Sequence, residues 1–348
     1  MPRKSALEGL NPAQREAAAQ LRGPVLILAG AGTGKTRVIT TRIAHMVASK
    51  IPASQILAVT FTNKAATEMR ERVGTMVSKE AGKELTIATF HSLCVRILRT
   101  CIDKLGYKKN FSIYTQSDQL GLLRKIIVRK AGKDENLDAK TAQMMISTAK
   151  NKGIPISEHE DALITEVYRA YQRELKQLNA VDFDDLLLLA VKILDEHPDA
   201  RQFWQRKFRY LMVDEFQDTN SLQMNLLRNL VGPEQNVCVV GDDDQSIYGW
   251  RGAEISNILD FERFFPNPKV VKLEENYRST NTILNLANSL IRHNVDRREK
   301  TLWSSKGEGG KVRVVAMPDA ETEAEMIINE IIDTKRVDGR NWDEFAIL

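Results

Sequence analysis

Cysteine is scarce: three residues in 348, Cys94, Cys101 and Cys238, too few and too scattered for a disulfide framework or a metal site. They read as reduced thiols, the state kept inside cells. No apolar run approaches the roughly 20 residues that span a bilayer. None follows Met1-Pro2-Arg3-Lys4 before Gly23 either, which argues against a secretory signal and for a cytoplasmic protein. Internal repeats and low-complexity tracts are missing as well. These absences exclude membrane, collagenous, disordered and disulfide-scaffold classes. What is present, 43% hydrophobic and 28% charged residues at a mean hydropathy of −0.32, suits a chain that buries a core. The length allows two or three domains.

The net charge is +4, a mild signal, but it is unevenly spread. Val95 to Lys152 holds 13 basic and 5 acidic residues, a net of +8, and the remainder sums to −4. Such a block reads either as a solvated helix surface or as a footprint for phosphate backbones.

Short β-branched runs alternate with helical patterns at first: strands over 24–29, 56–61 and 85–90, helices over 34–49 and 63–78. That rhythm predicts βαβ units and a parallel sheet, an α/β fold. From 116 to 207 the periodicity is helical, with breaks around Gly132, Gly153-Ile154-Pro155 and His197-Pro198, and no convincing strand interrupts it. Strands return at 210–214, 237–241 and 270–274, which makes the helical block an insertion into one sheet. A helix over 280–292, a polar linker, a strand over 311–316 and a helix over 321–334 follow. The chain stops inside the apolar run 345–348, which suggests a piece of a longer protein.

Ala29-Gly30-Ala31-Gly32-Thr33-Gly34-Lys35-Thr36 lies between a predicted strand and a predicted helix, the context a phosphate-binding loop requires. Glycines let backbone N–H groups approach phosphates, and the helix N-terminus adds its dipole. Lys35 would reach the β/γ-phosphates and the Thr36 hydroxyl would hold Mg²⁺. The usual pattern opens with Gly; Ala29 stands there, at the end of a strand where a methyl group is tolerable. Asp214-Glu215 closes another apolar strand. Asp214 would hold Mg²⁺, and Glu215 would deprotonate an attacking water. Together the two elements read as an NTP hydrolase of unspecified class.

Longer runs carry a resemblance. They are Thr60-Phe61-Thr62-Asn63-Lys64-Ala65-Ala66, Thr89-Phe90-His91-Ser92, Val213 to Asn220, Val240 to Ala253, and Leu273-Glu274-Glu275-Asn276-Tyr277-Arg278-Ser279-Thr280. In type and order they resemble motifs of the UvrD/Rep/PcrA family of superfamily 1 DNA helicases, over essentially the whole chain. The resemblance implies a RecA-like P-loop motor domain, split as 1–107 and 200–275. It further implies a helical subdomain over 108–199 and the start of a second RecA-like domain over 276–348. ATP and Mg²⁺ would be the cofactors; single-stranded DNA and single/double-strand junctions would be the partners, in a nucleoid-associated protein.

The same resemblance assigns roles. Gln14 would read adenine through its amide, with Arg37 and Tyr277 sandwiching the ring. Gln245 would sense the γ-phosphate, and Arg278 would stabilise charge on the transferred phosphoryl group. Tyr248, Trp250 and Arg251 would meet DNA, the aromatics by stacking on bases, though core burial is the usual fate of such rings. Phe61 would touch a base; Thr62, Asn63, Thr89 and His91 would bond the backbone or sugars. Movement would run 3′ to 5′, and the 348 residues alone would unwind poorly. A recombination-type helicase–nuclease subunit, a DNA-binding module without turnover and a small-molecule phosphotransferase are the competing readings.

Overall fold

Val25–Ala29 (β1) is five apolar residues long, and all five are buried, so it must be covered on both faces. In the computed structural model, which describes residues 6–130, 137–153 and 162–348, its neighbours supply that cover. The other strands are β2 (Ile56–Thr60), β3 (Thr86–Thr89), β4 (Ser112–Ile113), β5 (Ala180–Val181), β6 (Tyr210–Val213), β7 (Val237–Gly241) and β8 (Lys269–Leu273). Six of them form one parallel sheet in the order β3-β2-β6-β7-β1-β8. Leu28 lies opposite Gly241, and Ala29 opposite Leu273. The pairing matches the α/β expectation of a parallel sheet.

Alternate side chains feed two separate cores. Leu26 and Leu28 of β1, Leu57 and Val59 of β2, and Val237 and Val239 of β7 point to one face. Val25, Ile27, Ala29, Ile56, Ala58, Cys238 and Val240 point to the other. This is the two-residue period of a strand acting on a sheet with no wet face. The second face is covered by α1 (Pro12–Ala19), α2 (Lys35–Ala48) and α3 (Asn63–Gly74), the last followed by the short α4 (Lys79–Glu84). The first face is covered by α5 (Phe90–Cys101) and by helices from far along the chain.

Those distant helices lie in the latter part of the helical block and just beyond it. α6 (Gln116–Lys130), α7 (Ala139–Lys152) and α8 (Ala162–Gln177) share a core of their own around Leu123, Ile146, Ile164 and Tyr171. α9 (Phe183–Glu196), α10 (Pro198–Lys207) and α11 (Ser221–Leu230) instead pack beneath the sheet, with Trp204 fully buried. The helical block therefore divides near residue 182: its first part builds a separate core and its second part joins the motor's. The expected breaks at Gly132 and at Ile154-Pro155 lie outside the described residues; the one at His197-Pro198 separates α9 from α10.

Two features fasten the insertion. β4 and β5 form a two-residue parallel pair at its neck. β5 falls inside the stretch read as strand-free, because two residues carry no periodicity. Beside it, Lys150 of α7 is buried between Asp182 (2.6 Å) and Asp185 (2.7 Å). Tyr171 donates to Asp182 at 3.0 Å.

Beyond β7 come α12 (Ser256–Leu259), α13 (Phe261–Phe264), the edge strand β8 and α14 (Asn281–Ile291). Residues up to Gly307 form one compact unit and Glu308–Leu348 a second. The second unit holds α15 (Ala320–Asp338), capped by Asp319 at its start and by Gly339 in the left-handed region at its end. The expected strand over 311–316 is not formed: Val312, Val314 and Val315 are exposed, and the segment joins no ladder among the described residues. A strand is a pairing, so apolar alternation without a neighbour does not make one. No described helix is long and apolar enough to cross a membrane.

Candidate functional site

Every motif singled out in the sequence leaves the sheet at a strand's carboxyl end, the edge where parallel α/β sheets hold ligands. β1 runs into the glycine loop, β2 into Phe61–Asn63, and β3 into Thr89–His91. β6 runs into Asp214–Glu215, β7 into Asp242–Gln245, and β8 into Glu274–Arg278. β7 separates β1 from β6, so the glycine loop and the acidic pair face each other across one strand.

The glycine loop is held by its own backbone. Gly30 N–H donates to Leu273 O at 3.3 Å, and the Thr33 hydroxyl donates to Gly30 O at 2.7 Å. Gly32 and Gly34 have φ of +70° and +89°, which residues with a Cβ rarely adopt. α2 then starts at Lys35. Its ammonium nitrogen is buried and aligned for a hydrogen bond with no group among the described residues. The nearest carboxylate, Glu215 Oε2, is 3.3 Å away. A buried ammonium with no aligned hydrogen bond, ion-paired only with Glu215 and set beside a glycine cradle, fits a phosphate. Thr36 follows, half-buried.

Glu215 is itself strained into place, with φ +51° and ψ 44°. That region costs a non-glycine residue on the order of 1–3 kcal/mol. Asp214 is buried, accepts from Glu215 N–H at 3.0 Å, and has its carboxyl pushed up to about 6, first by burial and then by the Glu215 charge. Asp218 is pushed up to about 6 by the same two causes, and its Oδ1 is buried without a partner. This end of β6 thus has carboxylates with little cationic compensation. Thr36 and Asp214 make one hydroxyl and one carboxylate, a set that suits Mg²⁺, which takes its other ligands from phosphate and water. Among the described residues no three His, Cys, Asp or Glu side chains form a metal cage by themselves.

The adenine candidates surround α1. Gln14 is 1% exposed; its Oε1 accepts from Asn11 N–H at 3.3 Å and its Nε2 donates to Thr33 O at 2.8 Å. It belongs to a capping box with Asn11 and also braces the phosphate loop. One N–H and one lone pair of the amide remain. The Tyr277 hydroxyl bonds Asn11 (2.8 Å) and Glu275 (2.8 Å), leaving its ring partly exposed. Arg37 is exposed and donates to Gly9 O at 2.9 Å.

The segment after β8 lies on the glycine loop. Asn276, part of the 273–280 run but assigned no role from the sequence, joins the two: Nδ2 donates to Ala31 O at 2.6 Å, and Oδ1 accepts from the N–H groups of Arg278 and Ser279. Tyr277 N–H donates to Gly32 O at 2.9 Å. Arg278 is exposed next to Gly32, and its guanidinium pairs with nothing among the described residues.

After β7 come three aspartates and Gln245. Gln245 Nε2 donates to Asp242 Oδ2. Lys300, buried, reaches Asp242, Asp243 and Asp244 at 2.9, 2.8 and 2.7 Å, and Arg297 holds Asp244 with two parallel bonds. Lys300 lies over 50 residues along the chain, so no local pattern announces it. Beyond Gln245 the chain turns outward. Ile247 is 70% exposed, Tyr248 37% and Trp250 77%, so core burial does not apply to Trp250. The side chain of Arg251 lies outside what is described.

The other DNA candidates divide. Thr62 and Asn63 are exposed at the start of α3, where Thr62 also caps the helix. Phe61 leans edge-on to Phe90 at 5.5 Å and is partly core. Thr89 is buried as the cap of α5, donating to Ser92 Oγ at 2.9 Å. His91 stacks on Phe183 at 3.9 Å, and burial pushes its imidazole down to about 4, so it is neutral at pH 7.

Comparison with known proteins matches this arrangement. The family model of the UvrD/REP helicase N-terminal domain matches residues 10–266, and that of the UvrD-like helicase C-terminal domain matches 271–348. The ATP-dependent DNA helicase PcrA of Bacillus subtilis is 44% identical over 350 residues, covering 98% of this chain and 47% of that protein. The PcrA proteins of Staphylococcus epidermidis and Staphylococcus aureus are each 42% identical over 355 residues, covering 98% of this chain and 48% of theirs. The chain thus spans about half the length of the curated relatives it matches. With the N-terminal domain model covering most of its residues, and every motif of that domain gathered at one edge of a parallel sheet, the chain belongs to the UvrD/REP helicase family.

Proposed function

We propose that these residues are the ATP-binding motor of a DNA helicase, which couples ATP hydrolysis to 3′-to-5′ movement on single-stranded DNA and to opening of adjoining duplex. The observation that carries this reading is the buried Lys35 ammonium within the glycine cradle, without an aligned hydrogen bond and ion-paired with Glu215 at 3.3 Å. A phosphate chain satisfies that ammonium and at the same time competes for it with Glu215. Glu215 is then released to take a proton from the attacking water. Thr36 and Asp214 would hold Mg²⁺, which would supply neutralisation of phosphate charge. Arg278 sets a positive guanidinium against the negative charge on the oxygens of the transferred phosphoryl group. The free N–H and lone pair of Gln14 suit the adenine edge, with Arg37 and Tyr277 to either side of the ring. Gln245 reports the phosphate state, and Trp250 and Tyr248 grip or release bases with it.

The division into motor, helical subdomain and second motor domain over 276–348 belongs to the same proposal, with the subdomain expected over 108–199 drawn back to near residue 182, where its own core ends. A cleft needs two walls to exclude water and stabilise the transition state, so the 348 residues alone should hydrolyse ATP slowly and displace no strand.

Lys35→Ala and Glu215→Gln separate the roles. A charge-assisted bond is worth about 1.5–3 kcal/mol, so Lys35→Ala should bind a fluorescent ATP analogue roughly ten- to 150-fold more weakly. Glu215→Gln should bind it like wild type yet lose hydrolysis by about 10²–10⁴ in a phosphate-release assay with oligo(dT). Equal loss of binding in both variants would make Glu215 structural. A wild-type chain that hydrolyses nothing with oligo(dT) present would remove the reading altogether.

A further inference from the structure

The acidic pair and the aromatic loop leave the sheet on neighbouring strands, β6 and β7, and the side chain of Gln217 spans the gap. Gln217 is 2% exposed. Its Nε2 donates to Glu215 Oε2 at 3.0 Å and reaches Asp218 Oδ2 at 3.4 Å. Its Oε1 accepts from the backbone N–H of Asp242 at 3.0 Å. Glu215 Oε2 in turn faces Lys35, and Asp242 Oδ2 accepts from Gln245. Polar contacts therefore run unbroken from Lys35 in the glycine loop through Glu215, Gln217 and Asp242 to Gln245 at the root of the aromatic loop.

Two features show that the link is built in. Gly241 precedes Asp242, and a Cβ there would fall 2.8 Å from Gln217 Oε1 and 3.2 Å from Gln217 N. Any side chain at 241 would displace the amide. The link also calls for a group that donates to a carboxylate on one side and accepts from an N–H on the other, which a primary amide does and a carboxylate or thioether does not.

We propose that Gln217 is a positioning residue that couples the nucleotide state of the glycine loop to the DNA-gripping state of the 245–250 loop. The inference rests on the functional reading above and names the group that transmits its central coupling. The amide is planar, so its oxygen follows its nitrogen. When bound phosphate draws Lys35 away and Glu215 turns toward the attacking water, Nε2 follows Glu215. Leaving the buried Asp242 N–H unpaired is costly, so Asp242 tracks Oε1 and carries Gln245 with it.

The experiment measures oligo(dT) affinity of the 348-residue chain by fluorescence anisotropy, with and without the Mg²⁺ complex of a non-hydrolysable ATP analogue. Binding of the analogue without DNA and melting temperature are recorded in parallel. In wild type the analogue should change oligo(dT) affinity by about fivefold or more. Gln217→Glu keeps an acceptor for Asp242 but sets a carboxylate against Glu215; Gln217→Met fills the space without an amide. In both, the affinity ratio should fall to within about twofold of unity, while analogue binding stays within about threefold of wild type and the fold is retained. Gly241→Ala should do the same from the opposite side, without altering Gln217, and serves if the Gln217 variants fold poorly. A wild-type ratio in folded variants overturns the proposal. So does loss of the ratio only alongside collapse of analogue binding and melting temperature in all three, because that marks a merely structural contact. A wild-type chain that hydrolyses ATP but whose oligo(dT) affinity ignores the analogue defeats the coupling alone. One that binds neither ligand defeats the functional reading itself.

Discussion

Exposure at single residues decides what they can do. Trp250 is 77% exposed on a loop that also presents Ile247 and Tyr248. Truncating an exposed ring changes stability by no more than about 0.5 kcal/mol, whereas base stacking is worth about 1–3 kcal/mol. Trp250→Ala should therefore melt within about 3 °C of wild type in a thermal scan. In a titration of the same sample it should bind oligo(dT) roughly five- to 150-fold more weakly. A large fall in melting temperature with unchanged DNA affinity would return the ring to the core. The strands' sequence marks Phe61, Thr89 and His91 as equal candidates beside Thr62 and Asn63. Their environments differ: Phe61 leans on Phe90, Thr89 caps a helix and His91 stacks on Phe183, while Thr62 and Asn63 face solvent. Residue type cannot reveal this, because Phe183 lies over 90 positions from His91.

At the scale of elements, the join between the helical insertion and the motor rests on charge buried at one point. Lys150 on α7, with Asp182 and Asp185 at the start of α9, lies at the division between the two cores, all three side chains nearly inaccessible. Removing the cation leaves two carboxylates with no compensation. Breaking a buried pair from one side costs about 3–5 kcal/mol. Lys150→Met should therefore lower stability to urea by about that amount, and Lys150→Met/Asp182→Asn/Asp185→Asn should recover much of it. A single variant within about 1 kcal/mol of wild type would show that the cluster adds little. The helices themselves are legible from their apolar periods, and the end of α9 from His197-Pro198. Which core each joins is not, because an apolar face shows that a helix packs but not against what, and the partners of α6 and α9 are set by the fold.

Over the whole molecule, the basic block of 95–152 reaches the surface unevenly. Lys150 is buried and Arg129 is paired with Glu174, while Arg124 and Lys125 are exposed on α6. If the exposed cations contact DNA phosphates, each adds about 0.7 to the slope of log affinity against log salt for a single strand. Arg124→Ala with Lys125→Ala should thus flatten that slope by about 1.4 and weaken oligo(dT) binding at low salt. An unchanged slope would assign the block to solvation alone.

The sequence by itself determined the parallel sheet, the glycine loop and the acidic pair, because each rests on residues adjacent in the chain: a buried run, a turn that needs left-handed glycines, a helix start. It also marked the motif after β8 in full. Only the tertiary structure decided what those pieces meet. Asn276 ties that motif to Ala31, Lys300 neutralises Asp242 to Asp244, and Gln217 bridges Glu215 to Asp242. The reason is physical. A parallel sheet sets side by side strands that are far apart in sequence, so β6 is followed by β7 in space but β1 lies next to β8. The polar groups that join their carboxyl ends are selected by that adjacency, which no local pattern encodes.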